Sequence, residues 1–565
     1  MILLDPNNHD RQYPDDQSRQ IMRKAIQFFE GKGKAALKRD DREQVWYADF
    51  LEFAREERLF ATTLTPAGYG AAESRWDTWR NCEFAEILAF YGLAYWYTWQ
   101  VSVLGLGPIW MSDNEEVKSR AARLLEEGGI FAFGLSEQAH GADVYSTDME
   151  LIPQEAGGFL ARGEKYYIGN GNKAALVSTF GKIRGTDDYV FFVVDPQNEH
   201  YECKRNVVNS QSYVSNYALH DYPITEADIL SRGREAWNSA LNTVNVGKFN
   251  LGWASIGIST HALYEAVQHA GNRQLYGQMV TDFPHVRQLF SDAYARLVAM
   301  KLVALRAADY MRSASSTDRR YLLYNPVVKM KVTTQGEDVI DHLWDVIAAK
   351  GFERDMYFEM AARDIRALPK LEGTVHVNIA LIVKFMPNYF FNPEDCPEIG
   401  RRDDPADDTF LFQQGAARGL GDVRFHDYQA TYAGFSQPNV GVFREQIAVF
   451  REMLEHAPPG QGQSNDVDFL LAVGELFTLV VYGQLLLENS QIYGIDDDLI
   501  DQIFDVFVRD FSSYAVQLHG KPSSTQVQMD HCLRMIAKPT ENPDRYARVW
   551  EAHILPLRDA YTMNP

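Results

Sequence analysis

The chain has 565 residues, of which 46% are hydrophobic and 23% charged, as is typical of a folded globular protein. Its formal net charge of −22 argues against a general nucleic-acid-binding role, because phosphate binding requires clustered Lys and Arg. The length exceeds what one hydrophobic core normally serves, so several structural units are expected.

Neither a secreted nor a membrane-spanning protein is predicted. The first residues turn acidic and polar after a short apolar start, which is not the order of a secretion signal. The apolar run 469–487 contains Glu475 and Gln484, so we interpret it as a buried helix. The four cysteines are far apart and form no CxxC pair, which predicts no metal site and no disulfides and fits a reducing cytoplasm.

Hydrophobic periodicity divides the chain into four predicted domains, and the fold class is mainly α with a central β domain. Apolar residues recur every three or four positions through most of the chain, whereas 130–235 contains short aromatic and β-branched runs bounded by Gly, Asn and Asp, typical of an antiparallel sheet or barrel. A Pro- and Asp-rich stretch near 396 indicates a linker. The predicted domains are an N-terminal helical domain (1–129), a β domain (130–235), a helical bundle (236–395) and a C-terminal helical extension (396–565).

One carboxylate stands out in the segment ARDIRALPKLEGT, residues 362–374. Taken alone, Glu372 in an EGT tripeptide is more often an exposed glutamate at a helix start than a catalytic base. The segment nevertheless resembles the acyl-CoA dehydrogenase superfamily of flavoproteins, in which Arg-Asp, a short spacer and Glu-Gly-Thr carry the base that removes the α-proton of a thioester. Other members carry this base early in the first bundle helix, where this chain has Gly247, so the resemblance implies Glu372.

Two further segments resemble the flavin-binding loop and strand of the same superfamily, namely FGLSEQAHGAD at 133–143 and GEKYYIGNGNKA at 163–174. Tyr167 takes the position of a stacking Trp, while Gly169 and Ala142 replace residues whose hydroxyls bond the cofactor. The resemblance implies FAD contacts from Leu135, Ser136, Gly141, Ala142, Tyr167 and Gly169.

Bundle segments add the remaining implied contacts. HAGNRQLYG at 269–277 resembles the Arg-x-x-Phe-Gly motif, whose Arg reaches the cofactor diphosphate of the neighbouring subunit. DVIAAKGF at 345–352 resembles a Gly-rich turn. Pro284 stands where the family has Gln. The implied cofactor residues here are Arg273, Tyr276, Asp345, Ala349 and Thr374, and the implied substrate residues are Ala142, Asn245, Lys248 and Gly373.

The resemblance implies an FAD-dependent acyl-CoA dehydrogenase in which Glu372 takes the α-proton and flavin N5 takes the β-hydride, with electrons passing to an electron-transfer flavoprotein. The C-terminal extension resembles that of larger members, including very-long-chain types, and implies a homodimer. Because the chain is strongly acidic, no basic surface that would bind a membrane is predicted. Three alternatives stay open: an oxidase, a dehydrogenase of acyl-carrier-protein thioesters, and a non-catalytic subunit of a heteromeric dehydrogenase.

Overall fold

A computed structural model of the chain describes residues 2–8, 13–415 and 419–565. These residues form two units, which we call the helix–sheet unit (13–250, 403–415 and 563–565) and the bundle unit (2–8, 251–402 and 419–562). The predicted fold class, mainly helical with a central sheet, is confirmed. The four domain boundaries stay a prediction, and the elements of the first two predicted domains fall together in the helix–sheet unit.

Eight helices and eight strands make up the regular structure described in the helix–sheet unit. The helices are α1 Asp16–Lys32, α2 Lys34–Arg42, α3 Ala48–Glu56, α4 Leu59–Leu64, α5 Thr78–Tyr91, α6 Leu93–Met111, α7 Glu115–Glu126 and α8 Gly233–Gly247. The strands are β1 Phe131–Gly134, β2 Glu150–Pro153, β3 Phe159–Gly169, β4 Leu176–Ile183, β5 Tyr189–Val194, β6 Tyr201–Asn206, β7 Val214–Ile224 and β8 Ile229–Arg232.

The strands form one sheet in the order β6-β7-β3-β2-β4-β5-β8, with β1 paired to β4. It differs from the expected antiparallel pattern at two places, because β4 runs parallel to both β1 and β2. Alternate residues of β5 enter the sheet core, as the two-residue period of a strand requires; Val190, Phe192 and Val194 are buried there. The apolar helices α5 and α6 are buried almost all round, as their sequence predicts.

The bundle unit is helical apart from one small hairpin, in the part of the chain that the structure describes. Its helices are α9 Asn250–Gly271, α10 Pro284–Arg312, α11 Tyr321–Val327, α12 Thr333–Ile347, α13 Tyr357–Asp364, α14 Val375–Ile382, α15 Met386–Phe391, α16 Tyr428–Ala433, α17 Pro438–His456, α18 Gln461–Ser464, α19 Val467–Tyr493, α20 Asp497–His519, α21 Gln526–Met535 and α22 Pro543–Val549. The hairpin strands are β9 Gln274–Leu275 and β10 Gln278–Met279.

Helix α10 joins the bundle to the C-terminal extension. It begins at Pro284, where a proline is well tolerated because the first helical N–H has no acceptor within the helix. Along its length α10 packs against α12, α19 and α20. Arg296 of α10 pairs with Asp510 of α20 at 2.6 Å, and Arg306 pairs with Glu488 of α19 at 2.7 Å. The extension is therefore packed onto the bundle through buried ion pairs as well as apolar contacts.

Helix α19 contains the apolar run noted in the sequence. It is the one helix among the described residues that is long and apolar enough to cross a membrane, and 83% of its most apolar window is buried inside the protein. This burial is what a core helix shows, and it agrees with the interpretation of the run as a buried helix.

Candidate active site

The predicted base lies in a short loop between α13 and α14 of the bundle unit. Glu372 is half-buried and has φ +52°, and the next residue, Gly373, has φ +91°. A glutamate in this left-handed region costs on the order of 1 kcal/mol or more, whereas glycine adopts it freely. Contacts elsewhere in the loop must therefore impose this conformation on Glu372.

Lys329 supplies those contacts. Its fully buried ammonium donates hydrogen bonds to the carbonyl oxygens of Pro369 at 2.7 Å and Gly373 at 2.6 Å, on either side of Glu372. Lys329 lies in the π-helical turn Val328–Val332, a feature that often marks functional positions. A buried ammonium is tolerated only when it is well hydrogen-bonded, so its position and that of the loop depend on each other.

The helix that follows holds the same loop from its other end. Thr374 is the N-cap of α14 and its hydroxyl accepts from the N–H of Val377 at 3.4 Å. Asn378, buried one turn later, donates to the carbonyl oxygens of Gly373 at 3.1 Å and Thr374 at 3.0 Å. Thr374 and Gly373 therefore belong to one rigid loop with Glu372.

Arg273 lies beside the small hairpin of the bundle unit. Tyr276 and Gly277 form its two-residue turn with φ +52° and +79°, the backbone of a type I′ turn. The side chain of Tyr276 is 95% exposed, and the Arg273 guanidinium is exposed as well. Both side chains are thus directed to the surface, where a ligand or a second subunit could reach them.

Lys350, in the turn after α12, is a second cation near Arg273. The pKa of His269 is lowered by its burial and by the neighbouring Arg273 and Lys350. The structure thus brings Arg273 near the 348–352 turn, in which Ala349 is exposed. Asp345, one turn earlier, is also exposed, so its carboxylate need not be desolvated.

In the helix–sheet unit, the predicted flavin loop follows β1. Ser136 donates its hydroxyl to the Tyr166 carbonyl at 3.0 Å, and the Tyr166 N–H donates to the Ser136 carbonyl at 2.9 Å. Leu135 is partly exposed, and Gly141 and Ala142 are exposed. A Cβ built on Gly141, which has φ +45°, meets nothing within 4 Å, so its backbone is open to a bound group.

A buried ion pair holds this loop. Lys165 of β3 is fully buried and donates to Glu137 at 2.6 Å, to the Leu135 carbonyl at 3.0 Å and to the Thr147 hydroxyl at 3.2 Å. Burial lowers the pKa of Lys165 to about 8, although Glu137 opposes the shift. Hydrogen bonds and the charge of Lys165 lower the pKa of Glu137 against the effect of burial, so the pair is ionised at neutral pH.

Tyr167 and Gly169 lie at the end of β3. Tyr167 has φ +64° and is 59% exposed, so its ring is available for stacking. A Cβ on Gly169 would lie 2.6 Å from Val101 and 2.7 Å from the ring of Tyr97, with the hydroxyl-bearing Cζ of Tyr97 at 3.0 Å. The ring of Tyr97 thus occupies the space that a side chain at residue 169 would fill.

Gly247 is closed to a larger residue. A Cβ there would lie 2.4 Å from Leu104, and Gln100 donates to the Gly247 carbonyl at 2.9 Å. The side chain of Gln100 accepts in turn from Asn250 at 3.0 Å. A carboxylate could not occupy this position without repacking. The predicted substrate residues Asn245 and Lys248, on either side, are both buried.

Sequence reasoning missed four residues that position the candidate site: Lys165, Lys329, Asn378 and Tyr97. The first two are isolated lysines, and nothing in a single sequence distinguishes a buried lysine from an exposed one. Tyr97 lies in an apolar helix, where an aromatic residue is ordinarily part of the core. The absence of a hydroxyl at Gly169 is the signal that could have directed attention to a replacement.

Comparison with known proteins relates the chain to acyl-CoA dehydrogenases. Residues 235–386 match the family model of the acyl-CoA dehydrogenase C-terminal domain, a range that contains Glu372. A caffeyl-CoA reductase-Etf complex subunit, CarC, from Acetobacterium woodii is 23% identical over 310 residues, covering 53% of this chain and 79% of CarC. The human very long-chain specific acyl-CoA dehydrogenase is 24% identical over 261 residues, which is 43% of this chain and 39% of that protein.

The structure is also similar to an acyl-CoA dehydrogenase from Bacillus anthracis that was crystallised with FAD. The TM-score is 0.76 at 16% identity, and the match covers 98% of this chain and 97% of the other. At this identity the likeness shows a common fold, and it includes the C-terminal extension.

The residues of this chain fit an FAD molecule. The open backbone at Gly141 suits close approach of a phosphate, the exposed ring of Tyr167 suits stacking, and the exposed guanidinium of Arg273 suits a diphosphate. The ring of Tyr97 fills the space in which Gly169 has no side chain.

Proposed function

Since this chain is a member of the acyl-CoA dehydrogenase superfamily by its bundle sequence and its fold, we propose that it oxidises an acyl thioester to the trans-2-enoyl thioester with FAD. In this proposal Glu372 is the base. FAD, when bound, supplies the acceptor for the hydride that leaves the β-carbon. The residues that hold it are Leu135, Ser136, Gly141, Ala142, Tyr167, Arg273, Tyr276, Ala349 and Thr374, with Tyr97 in place of a side chain at Gly169.

The conformation of Glu372 is the observation that carries this proposal. Glu372 is half-buried and holds φ +52°, a value that is uncommon for a residue other than glycine. Here the hydrogen bonds from Lys329 and Asn378 maintain it. Strain that is imposed by surrounding contacts is typical of functional loops.

Each residue then has a defined task. The carboxylate of Glu372 accepts the α-proton, and the backbone N–H of the same residue donates to the thioester carbonyl, which stabilises the developing negative charge on its oxygen. The bonds of Lys329 to the flanking carbonyls fix the direction of that N–H. Asn245 and Lys248 line the substrate side, and Gly373 lets the acyl group approach the loop closely.

An electron-transfer flavoprotein is the acceptor that we propose, and support comes from the similarity to a subunit named for its complex with Etf. Oxygen uptake during turnover would instead identify an oxidase, and activity confined to carrier-bound thioesters would identify the carrier-protein alternative. A non-catalytic subunit is less compatible with the strained backbone of Glu372 and with the buried Lys329 that holds its loop. We also propose a homodimer in the cytoplasm.

The experiment follows the bleaching of bound FAD on anaerobic addition of acyl-CoAs of graded chain length. In Glu372→Gln the rate should fall by about 10²–10⁴-fold, because the amide cannot accept the proton. Glu398→Gln, at an exposed glutamate of the linker, is the control and should bleach at the native rate. Unchanged bleaching in Glu372→Gln would exclude this residue as the base, and absence of flavin from the purified native protein would favour the non-catalytic subunit.

A further inference from the structure

The C-terminal extension contains a cluster of metal-binding side chains that the proposed oxidation does not use. Glu452 and His456 are four residues apart on α17, so they lie on one face of that helix. His531 of α21 faces them, because α17 and α21 pack together. One ligand atom from each of the three residues lies within 4.8 Å of the other two.

His531 is oriented as a metal ligand is. The residue is 92% buried, since 8% of its surface is exposed. Its Nδ1 donates to the Val527 carbonyl at 2.8 Å, so in the neutral imidazole Nε2 is the nitrogen available to a metal ion. Metal-bound histidines are commonly held by such a bond from the second ring nitrogen.

The free nitrogen of His531 points into the cluster. Its Nε2 is buried and makes no hydrogen bond to any described residue. It lies 3.6 Å from Oε1 of Glu452, which is too long for a hydrogen bond. Two ligands bound to one tetrahedral Zn²⁺ at about 2.0–2.1 Å lie roughly 3.3 Å apart, so the observed spacing is close to that of a shared ion.

We propose that Glu452, His456 and His531 bind a divalent transition-metal ion of the zinc type. Two imidazoles and a carboxylate form the three-ligand set of many zinc sites, with the fourth position left to water. Glu452 also lines an open groove of about 710 Å³ between α16 and α17, which gives the ion a path from solvent. The ion would tie α17 to α21.

Arg534 competes with the metal for Glu452. Its guanidinium donates to both carboxylate oxygens, at 2.9 and 2.7 Å, and both side chains are substantially exposed. An exposed ion pair of this kind contributes little stability, so a metal ion can displace it. This competition predicts that removal of the guanidinium strengthens metal binding.

The test measures Zn²⁺ bound to the tag-free full-length protein by equilibrium dialysis, and the absorption of Co²⁺ as a second readout of tetrahedral coordination. We expect one ion per chain at micromolar Zn²⁺, and a higher melting temperature with Zn²⁺ than without, because the ion binds only the folded state. His456→Ala should weaken binding by about tenfold or more.

His519→Ala is the matched control for His456→Ala. Each histidine is the last residue of its helix, so both substitutions remove the same favourable interaction with a helix C-terminus. His519→Ala should bind Zn²⁺ as the native protein does, and Arg534→Gln should bind it more tightly. Native protein that retains no Zn²⁺ after dialysis, or equal binding by His456→Ala and His519→Ala, would overturn the site.

Discussion

Two fully buried lysines, Lys165 and Lys329, hold the two loops to which the chemistry is assigned, and they do so differently. Lys165 bonds to a carboxylate, Glu137, in addition to a carbonyl and a hydroxyl. The hydrogen bonds of Lys329 to its loop go to the backbone carbonyls of Pro369 and Gly373. The contacts of Lys165 therefore include a side chain of the held loop, whereas those of Lys329 include two backbone carbonyls of its loop.

This difference determines which amino-acid substitutions each loop tolerates. Substitution of Glu137 by a neutral residue removes its carboxylate and leaves the buried ammonium of Lys165 without an opposite charge. In the loop of Glu372, Lys329 bonds to backbone carbonyls, which every amino acid has, whereas Thr374 and Asn378 contribute side-chain bonds. The two bonds from Lys329 thus hold the loop of the proposed base without depending on the side chains of Pro369 and Gly373.

The largest expected effect is that of Lys165→Met. It leaves the carboxylate of Glu137 buried without its cation, which should lower the free energy of unfolding by about 3–5 kcal/mol. Chemical denaturation of the purified variant measures the loss. The double variant Lys165→Met/Glu137→Gln should recover much of it, because no buried charge remains; a double variant as unstable as the single one would contradict the ion-pair interpretation.

A smaller loss of stability and a larger loss of activity are expected for Lys329→Met. Removing the donor of two buried carbonyls should cost about 1–3 kcal/mol. Because the loop then loses its fixed path, kcat should fall by about 10²-fold as Glu372 moves from its reactive position. Activity is measured at a temperature where both variant and native protein are folded.

Lys331→Met provides the control from the same π-helical turn. Lys331 is also buried, but it pairs with Glu475 at 3.3 Å and donates to Tyr514, away from the loop of Glu372. This variant should lose stability and retain kcat. Equal losses of kcat in both variants would show that general destabilisation, rather than the clamp, limits the reaction.

The sequence predicted the fold class and the identity of the candidate base, because both depend on local patterns. Helical periodicity and β-branched runs identified the elements, and the resemblance of residues 362–374 to the superfamily's motif indicated Glu372, which the Glu-Gly-Thr tripeptide alone did not. The clamps were not predictable, since Lys165 lies about 28 residues from Glu137 and Lys329 lies about 40 residues from Pro369 along the chain. Contacts over such separations depend on topology, which no short motif records.

The grouping of elements was likewise beyond the sequence. The domain boundary predicted near residue 396 stays a prediction, and α10 carries Arg296 and Arg306 into buried pairs with α20 and α19. A buried arginine and an exposed one look the same in a sequence. The site residues of the predicted loops and turns stay predictions until their variants are measured.

A pH titration of stability tests the lowered pKa of Lys165. Burial lowers the pKa of Lys165 to about 8, below the 10.5 of an exposed lysine. Between these values the unfolded chain binds a proton that the folded chain has released, so stability rises with pH. The gain from pH 8 to pH 10 should be about 2 kcal/mol relative to Lys165→Met, which lacks the group. Parallel stability curves for the two proteins would contradict the lowered pKa.

The smallest expected effect is a gain in stability, from Glu372→Gly. Glycine adopts φ +52° without strain, so the variant should be about 1 kcal/mol more stable than Glu372→Gln if Lys329 holds the loop in place. Glu372→Gln keeps the strain and is the reference, because both variants lose the carboxylate. Chemical denaturation midpoints show which of the two variants is more stable. If Glu372→Gly is no more stable than Glu372→Gln, the loop relaxes when its side chain is lost, and the clamp does not impose the conformation on which the proposed catalysis depends.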